Sequence, residues 1–138
     1  MGEPGVRVLA DGLRFPEGPV ALPDGDVLLV EIAAGRLTRV APDGAKTVVS
    51  TPGGGPNGIA FGPGGRIFCC NNGGFAWHEE PGMLRPLGQG PDYSGGRIEV
   101  IDPATGAVLS TELSFLADTG QFAVEPHAVI SYVTYGLS

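Results

Sequence analysis

Cysteine is scarce in this chain: Cys69 and Cys70 stand side by side in an apolar run and there are no others. Neighbours in a strand point to opposite faces, which excludes an ordinary disulfide between them. Without a CxxC pair there is no cysteine-based zinc site either, so two reduced strand residues of a cytoplasmic protein are the expectation. Basic residues are few, 8 Lys and Arg against 15 Asp and Glu, for a net charge of −7. They are scattered, with only Arg36 and Arg39 close together, so nothing could track a phosphate backbone and no nucleic-acid partner is expected. No apolar stretch approaches the roughly 20 residues that span a bilayer. Met1-Gly2-Glu3-Pro4 leads into no apolar signal segment, and Val6 stands where a myristoylation signal needs Ser or Thr, so no membrane partner is expected. No segment keeps a 3.6-residue period, which argues against helical and leucine-rich repeats.

Several catalytic signatures are missing or spurious. There is no GxSxG elbow, so a Ser-His-Asp hydrolase has no support. Gly53-Gly54-Gly55-Pro56-Asn57-Gly58 satisfies GxGxxG, but a proline lies inside it and a strand pattern follows where a helix is needed. His78-Glu79-Glu80-Pro81 is broken by proline and lacks the second histidine of a zinc-binding helix. The acidic balance is compatible with a bound cation, and equally usual for a soluble protein.

What is abundant is glycine and proline, 24 and 13 of 138 residues, set among short β-type runs in a chain that is 42% hydrophobic. That pattern predicts many short strands joined by tight turns. The runs repeat. Pro16-Glu17-Gly18-Pro19-Val20 through Val30 aligns with Pro56-Asn57-Gly58-Ile59-Ala60 through Cys70 at an offset of 40 residues, each copy being a strand, a Pro-x-Gly turn and a second strand. Gly35-Arg36-Leu37-Thr38-Arg39-Val40 aligns with Gly96-Arg97-Ile98-Glu99-Val100-Ile101 at an offset of 61, so the second copy carries an insertion of 21 residues. Outer strands are expected at Lys46–Ser50 and Ala107–Thr111. Four strands in about 40 residues is the size of one propeller blade. The prediction is therefore an all-β fold, a partial β-propeller of about two four-stranded antiparallel blades. A leading strand over 5–15, seeded by Val6-Arg7-Val8-Leu9, would complete a last blade. Blade one covers 16–51 and blade two 56–112, with an inserted loop at 72–94, and an atypical tail follows at 113–138.

Phe15-Pro16-Glu17-Gly18-Pro19-Val20, Pro56-Asn57-Gly58, Cys70-Asn71-Asn72-Gly73-Gly74-Phe75 and Gly95-Gly96-Arg97-Ile98, in register with the repeat, resemble the gluconolactonase/regucalcin family over residues 5 to 112. The resemblance implies a six-bladed propeller with a divalent cation, often calcium, in its central tunnel, and metal-dependent hydrolysis of sugar-type lactones. It places Glu17 as a metal ligand, because the family takes a glutamate from its first blade. Hard cations want such oxygen donors, although Glu17 also reads as a rim residue of a solvated loop. Asn57 occupies the same slot one repeat later, as a second-shell or substrate contact or as the turn residue of an Asn-Gly step. Asn71 and Asn72 end the second strand of blade two, and His127 stands where the third blade of the family carries an asparagine; Asn72 and His127 are candidates for the substrate or second shell. The inserted loop, with Trp77, His78, Glu79, Glu80, Arg85, Asp92 and Tyr93, reads either as a lid over the tunnel mouth or as a solvated surface loop.

Six blades need roughly 240 to 270 residues. On this count the chain is expected to be a fragment or one part of an assembly, inactive by itself as a lactonase, with open edge strands available for self-association. The rival expectation is a non-catalytic propeller module that binds a partner through its open edge. Organophosphate hydrolases and strictosidine synthase-like proteins share this architecture, so fold alone does not choose the chemistry.

Overall fold

The computed structural model describes residues 5–111. Ten strands and one 3-10 turn form two four-stranded sheets and a separate hairpin. Blade one runs β1 (Pro16–Ala21), β2 (Val27–Glu31), β3 (Arg36–Val40), β4 (Lys46–Ser50) in simple antiparallel order. Blade two repeats the order with β5 (Pro56–Phe61), β6 (Ile67–Asn71), β9 (Arg97–Ile101) and β10 (Val108–Thr111). Between its second and third strands it carries β7 (Phe75–Glu80) and β8 (Met83–Gln89), paired only with each other. The all-β partial propeller expected from the repeat is thus present, and the insertion falls inside the expected 72–94.

The turns explain the strand lengths. After β1, the Leu22 and Gly25 amides bond across the turn at 2.8 and 3.0 Å while Asp24 Oδ1 accepts the Asp26 amide at 2.9 Å. Proline at the second position presets φ, and Gly25 takes a φ of 93° that only glycine adopts cheaply. The Pro42-Asp43-Gly44 turn between β3 and β4 reuses the device, with Asp43 accepting from the Ala45 amide at 2.9 Å.

One face of each blade builds a shared core. Leu28, Val30, Ile32 and Leu37 of blade one pack with Ile59, Ile67, Cys69 and Ile101 of blade two. The inner strands come close at Gly18 and Gly58, one repeat apart: a Cβ on Gly18 would lie 3.2 Å from the Gly58 Cα. Glycine at both positions lets β1 and β5 lie side by side. Leu37 is fully buried in this core, so Leu37→Ala should lower the unfolding free energy by about 3 kcal/mol. Urea denaturation checks this, and a loss under about 1 kcal/mol would mean that the two blades do not share a core.

Residues 5–15 differ from expectation, for they form no strand. The segment lies against the β3–β4 turn instead. Arg7 donates to the Pro42 carbonyl at 3.4 Å and Lys46 Nζ to the Asp11 carbonyl at 2.6 Å. A completing strand must pair with the edge of a last blade, and among the described residues there are only these two blades. The tail 113–138, with His127, lies outside the described residues.

Candidate functional site

The end of the module where β1 and β5 begin is built on two buried polar clusters. At the close of β2, Glu31 is fully buried. Its carboxylate accepts from Arg36 Nε at 2.7 Å and Nη2 at 3.0 Å, from Thr38 Oγ1, and from the Arg14 backbone amide at 2.8 Å. Burial pushes this carboxyl upward, but the donors from Arg36, Thr38 and Arg14 outweigh it and hold the pKa at about 2. The strand register explains the meeting, since Glu31 pairs with Arg36 and Thr38 stands two residues along β3 on the same face.

Blade two rebuilds this cluster with its acid moved. Asn71 stands at the repeat position of Glu31, Arg97 at that of Arg36, and Glu99 at that of Thr38. Asn71 Nδ2 donates to Glu99 Oε1 and to the Gly53 carbonyl, both at 2.8 Å, while its Oδ1 accepts the Gly55 and Gly73 amides at 2.9 Å. Arg97 Nε lies 3.3 Å from the nearly buried Glu99 carboxylate. Asn71 therefore straps the connection from β4 to β5 onto blade two. A side chain on Gly54 could not fit there, because its Cβ would fall 2.4 Å from Asn71 Oδ1.

Glu17 and Asn57 occupy this end as the second residues of the two inner strands. Glu17 is exposed, Asn57 is half-buried, and each stands at an irregularity in its ladder, between Glu17 and Val20 in β1 and between Pro56 and Gly58 in β5. A bulge re-aims the side chain beside it. Glu17 is paired with Val30 in the ladder, and its side chain has no hydrogen-bond or ion-pair partner among the described residues. Asn72 turns the chain into the insertion: its Oδ1 accepts the Gly74 amide at 2.8 Å and its own amide donates to Gly55 at 2.8 Å. Asn72 Nδ2 is buried with no partner.

The insertion is a twisted hairpin rather than an irregular loop, and alternation along β7 sorts its residues. Phe75, Trp77 and Glu79 share the face that meets blade one. Trp77 lies 5.0 Å from Phe15 and 6.0 Å from Phe75, ring centre to ring centre. Arg14 grips the Glu79 carboxylate with both terminal nitrogens. This pair lowers the Glu79 pKa, first through the hydrogen bond and then through charge. His78 and Glu80 face the other way and pair at 3.3 Å. Arg85, opposite His78, is exposed. Tyr93 covers Gly73 at the root of the hairpin and its hydroxyl accepts the Gly96 amide at 3.2 Å. Trp77 is thus gathered to the strand entrance, whereas His78 and Arg85 are turned from it.

The residues that sequence reading missed are Glu31, Glu99, Arg14 and Phe15. Glu31 left a signal, being an acid that ends an apolar run at the repeat position of Asn71. Arg14 and Phe15 left none, because their partners Glu79 and Trp77 lie far along the chain, Glu79 being 65 residues from Arg14.

The two cysteines are free. Burial, with Glu99 nearby, pushes the Cys69 thiol well above its ordinary value, and burial pushes Cys70 up to about 11. Both are protonated at neutral pH and are poor nucleophiles. Among the described residues no three His, Cys, Asp or Glu side chains gather where a metal could be held. Glu17 and Asn57 offer oxygen donors of the type that hard cations take, but the six to eight oxygens of a calcium shell would need donors beyond β1 and β5. No helix among the described residues is long and apolar enough to cross a membrane.

This architecture has a solved counterpart. The PQQ-bound form of the aldose sugar dehydrogenase from Streptomyces coelicolor superposes with a TM-score of 0.50 at 24% identity, over 77% of this chain and 31% of that one. The chain thus spans about a third of that structure's length, and the likeness is one of fold: both are built of β-propeller blades. No protein-family model and no curated protein matches the chain.

Proposed function

We propose that this module supplies Glu17 and Asn57 to the tunnel of a gluconolactonase-like propeller that hydrolyses sugar-type lactones with a divalent cation, calcium by the family resemblance. The observation that carries the reading is positional. Two oxygen-bearing side chains stand one repeat apart on touching inner strands, Glu17 just before a ladder irregularity and Asn57 within one, with a free carboxylate on the first. The remaining donors of the cation shell would come from inner strands other than these two. Bound there, a cation would polarise the lactone carbonyl and activate water for ring opening. On this side of the site, the Glu17 carboxylate holds charge toward the axis, Asn57 orients by donating or accepting a hydrogen bond, and the hairpin shields the strand entrance from water.

Calcium titration by calorimetry tests the reading. Saturable binding to the unmodified protein, with water filling the shell positions that Glu17 and Asn57 do not, weakened by Glu17→Gln and less by Asn57→Ala, is the expected result, since loss of one charged ligand removes a main electrostatic contribution. Equal binding by the Glu17→Gln variant would end the metal-ligand assignment.

A second reading, a non-catalytic module that binds a partner through its open edge, is favoured by the outer strand of blade two. Val108 and Leu109 on β10 are 41% and 48% exposed, and an edge strand with apolar side chains is a template for pairing. Under this reading calcium does not bind, while Leu109→Lys abolishes concentration-dependent association in sedimentation runs.

A further inference from the structure

We propose that the β7–β8 hairpin is a latched lid over the inner-strand end of the module, fastened by the Arg14–Glu79 ion pair and the Phe15–Trp77 contact. Its importance for function rests on the reading that Glu17 faces the propeller axis; its mechanics do not.

Three observations converge on the latch. First, the hairpin belongs to neither blade, because β7 and β8 bond only to each other. Second, beyond the packing of Phe75 and Trp77 on the shared core, its polar and ring contacts run to two consecutive residues, Arg14 and Phe15, which immediately precede β1. Third, Phe15 has a φ of 59°, the only non-glycine residue at positive φ among the described residues. A bulky side chain enters that region only when its surroundings demand it, and such residues gather where function needs an unusual aim. The surroundings here are explicit. The Phe15 carbonyl accepts the Ile32 amide at 3.1 Å, the Arg14 carbonyl accepts the Ala33 amide at 3.2 Å, and the Arg14 amide donates to buried Glu31. Blade one grips the backbone of 14–15, so that both side chains are left to grip the hairpin.

The attachment is built to be reversible. Arg14 and Glu79 are 42% and 58% exposed, and ion pairs this exposed hold weakly and yield to salt. Glycines at positive φ flank the hairpin, Gly73 and Gly74 before β7 and Gly95 after β8, with Gly88 near the end of β8. Opening would uncover Trp77 and release Phe15, two residues from Glu17.

Trp77 is the only tryptophan, which makes the lid directly visible without calcium or lactone. In the full chain, Arg14→Gln and Glu79→Gln should each increase the quenching of Trp77 fluorescence by acrylamide, as the open population rises roughly two- to fivefold. Salt at about 1 M, with a screening length of about 3 Å, should do the same to the unmodified protein but not to the Glu79→Gln variant. The exchanged pair, Arg14→Glu with Glu79→Arg, should restore the original quenching. By hydrogen exchange, amides of β7 and β8 and the Ile32 amide should exchange faster in Phe15→Leu, while those of β3 keep their protection. Unchanged quenching in both charge variants together with unchanged exchange in Phe15→Leu would overturn the latch. So would equal acceleration in β3, which would make the hairpin an integral part of the core. Because these readouts involve no ligand, they stand or fall separately from the Glu17 titration.

Discussion

Glu31→Gln should unfold in urea with a stability about 3 kcal/mol lower than the unmodified protein, the low end of what breaking a buried ion pair costs. The substitution keeps the volume but replaces an acceptor oxygen by an amide group. That amide would face Arg36 Nε and Thr38 Oγ1, both donors to the carboxylate. The low end applies because the Arg36 side chain is 36% exposed and can turn to water, whereas Glu31 and Thr38 cannot. The same cluster sets an acid limit. Glu31 has its pKa lowered from 4.5 to about 2, so its contribution is complete above about pH 4.5 and is lost as pH falls toward 2. Integrated over that window the loss is about 3 kcal/mol. Urea midpoints should therefore fall steeply between pH 4.5 and 2 in the unmodified protein and less steeply in the Glu31→Gln variant. Parallel pH profiles for the two would show that the carboxylate is not the group being titrated.

Asn71→Asp should be comparably damaging, at about 3–5 kcal/mol, with the opposite dependence on pH. The change is nearly isosteric, yet it removes the donor to Glu99 and Gly53 and sets a second carboxylate at hydrogen-bond distance from a buried one. Two such carboxylates cannot both ionise, so one is pushed up. A group whose folded pKa is raised stabilises below its unfolded value and loses that contribution as pH rises, so the deficit should shrink on acidification from pH 7 to 5. Blade one suggests the repair. It holds its acid on the second strand and a hydroxyl on the third, so Asn71→Glu combined with Glu99→Thr copies the Glu31–Arg36–Thr38 arrangement around Arg97. The double variant should recover more than half of the loss seen in Asn71→Glu alone. Recovery of none would mean that the surrounding strap, and not the acid–arginine geometry, dictates the residue at 71.

Much of the fold was legible because its determinants are local. The 40-residue offset, the Pro-x-Gly turns and the two-residue alternation lie within a few positions of one another, and each states its own turn or strand. The second strands β2 and β6 and their partners β3 and β9 follow from that. The leading segment was not legible. Val6-Arg7-Val8-Leu9 has strand character, but a strand exists only where an edge accepts it, and that depends on sheets elsewhere. Asn71 read as the end of a strand; that it also clasps Gly53, Gly55 and Glu99 depends on three segments meeting.

The candidate site divides in the same way. Sequence alone determined that Glu17 and Asn57 occupy equivalent places in two blades, because repeat position is a property of spacing. It determined too that the insertion lies between the second and third strands of blade two. Only the tertiary structure decided that the insertion is a hairpin, that Trp77 turns inward while His78 and Arg85 turn out, and that Arg14 and Phe15 receive it. It alone decided that the acid of the buried cluster sits on β2 in one blade and on β9 in the other. The physical reason is range. Turns and alternation are set by covalent neighbours, whereas a buried charge or an aromatic contact is set by whatever the folded chain brings within a few ångströms, here a glutamate 65 residues from its arginine.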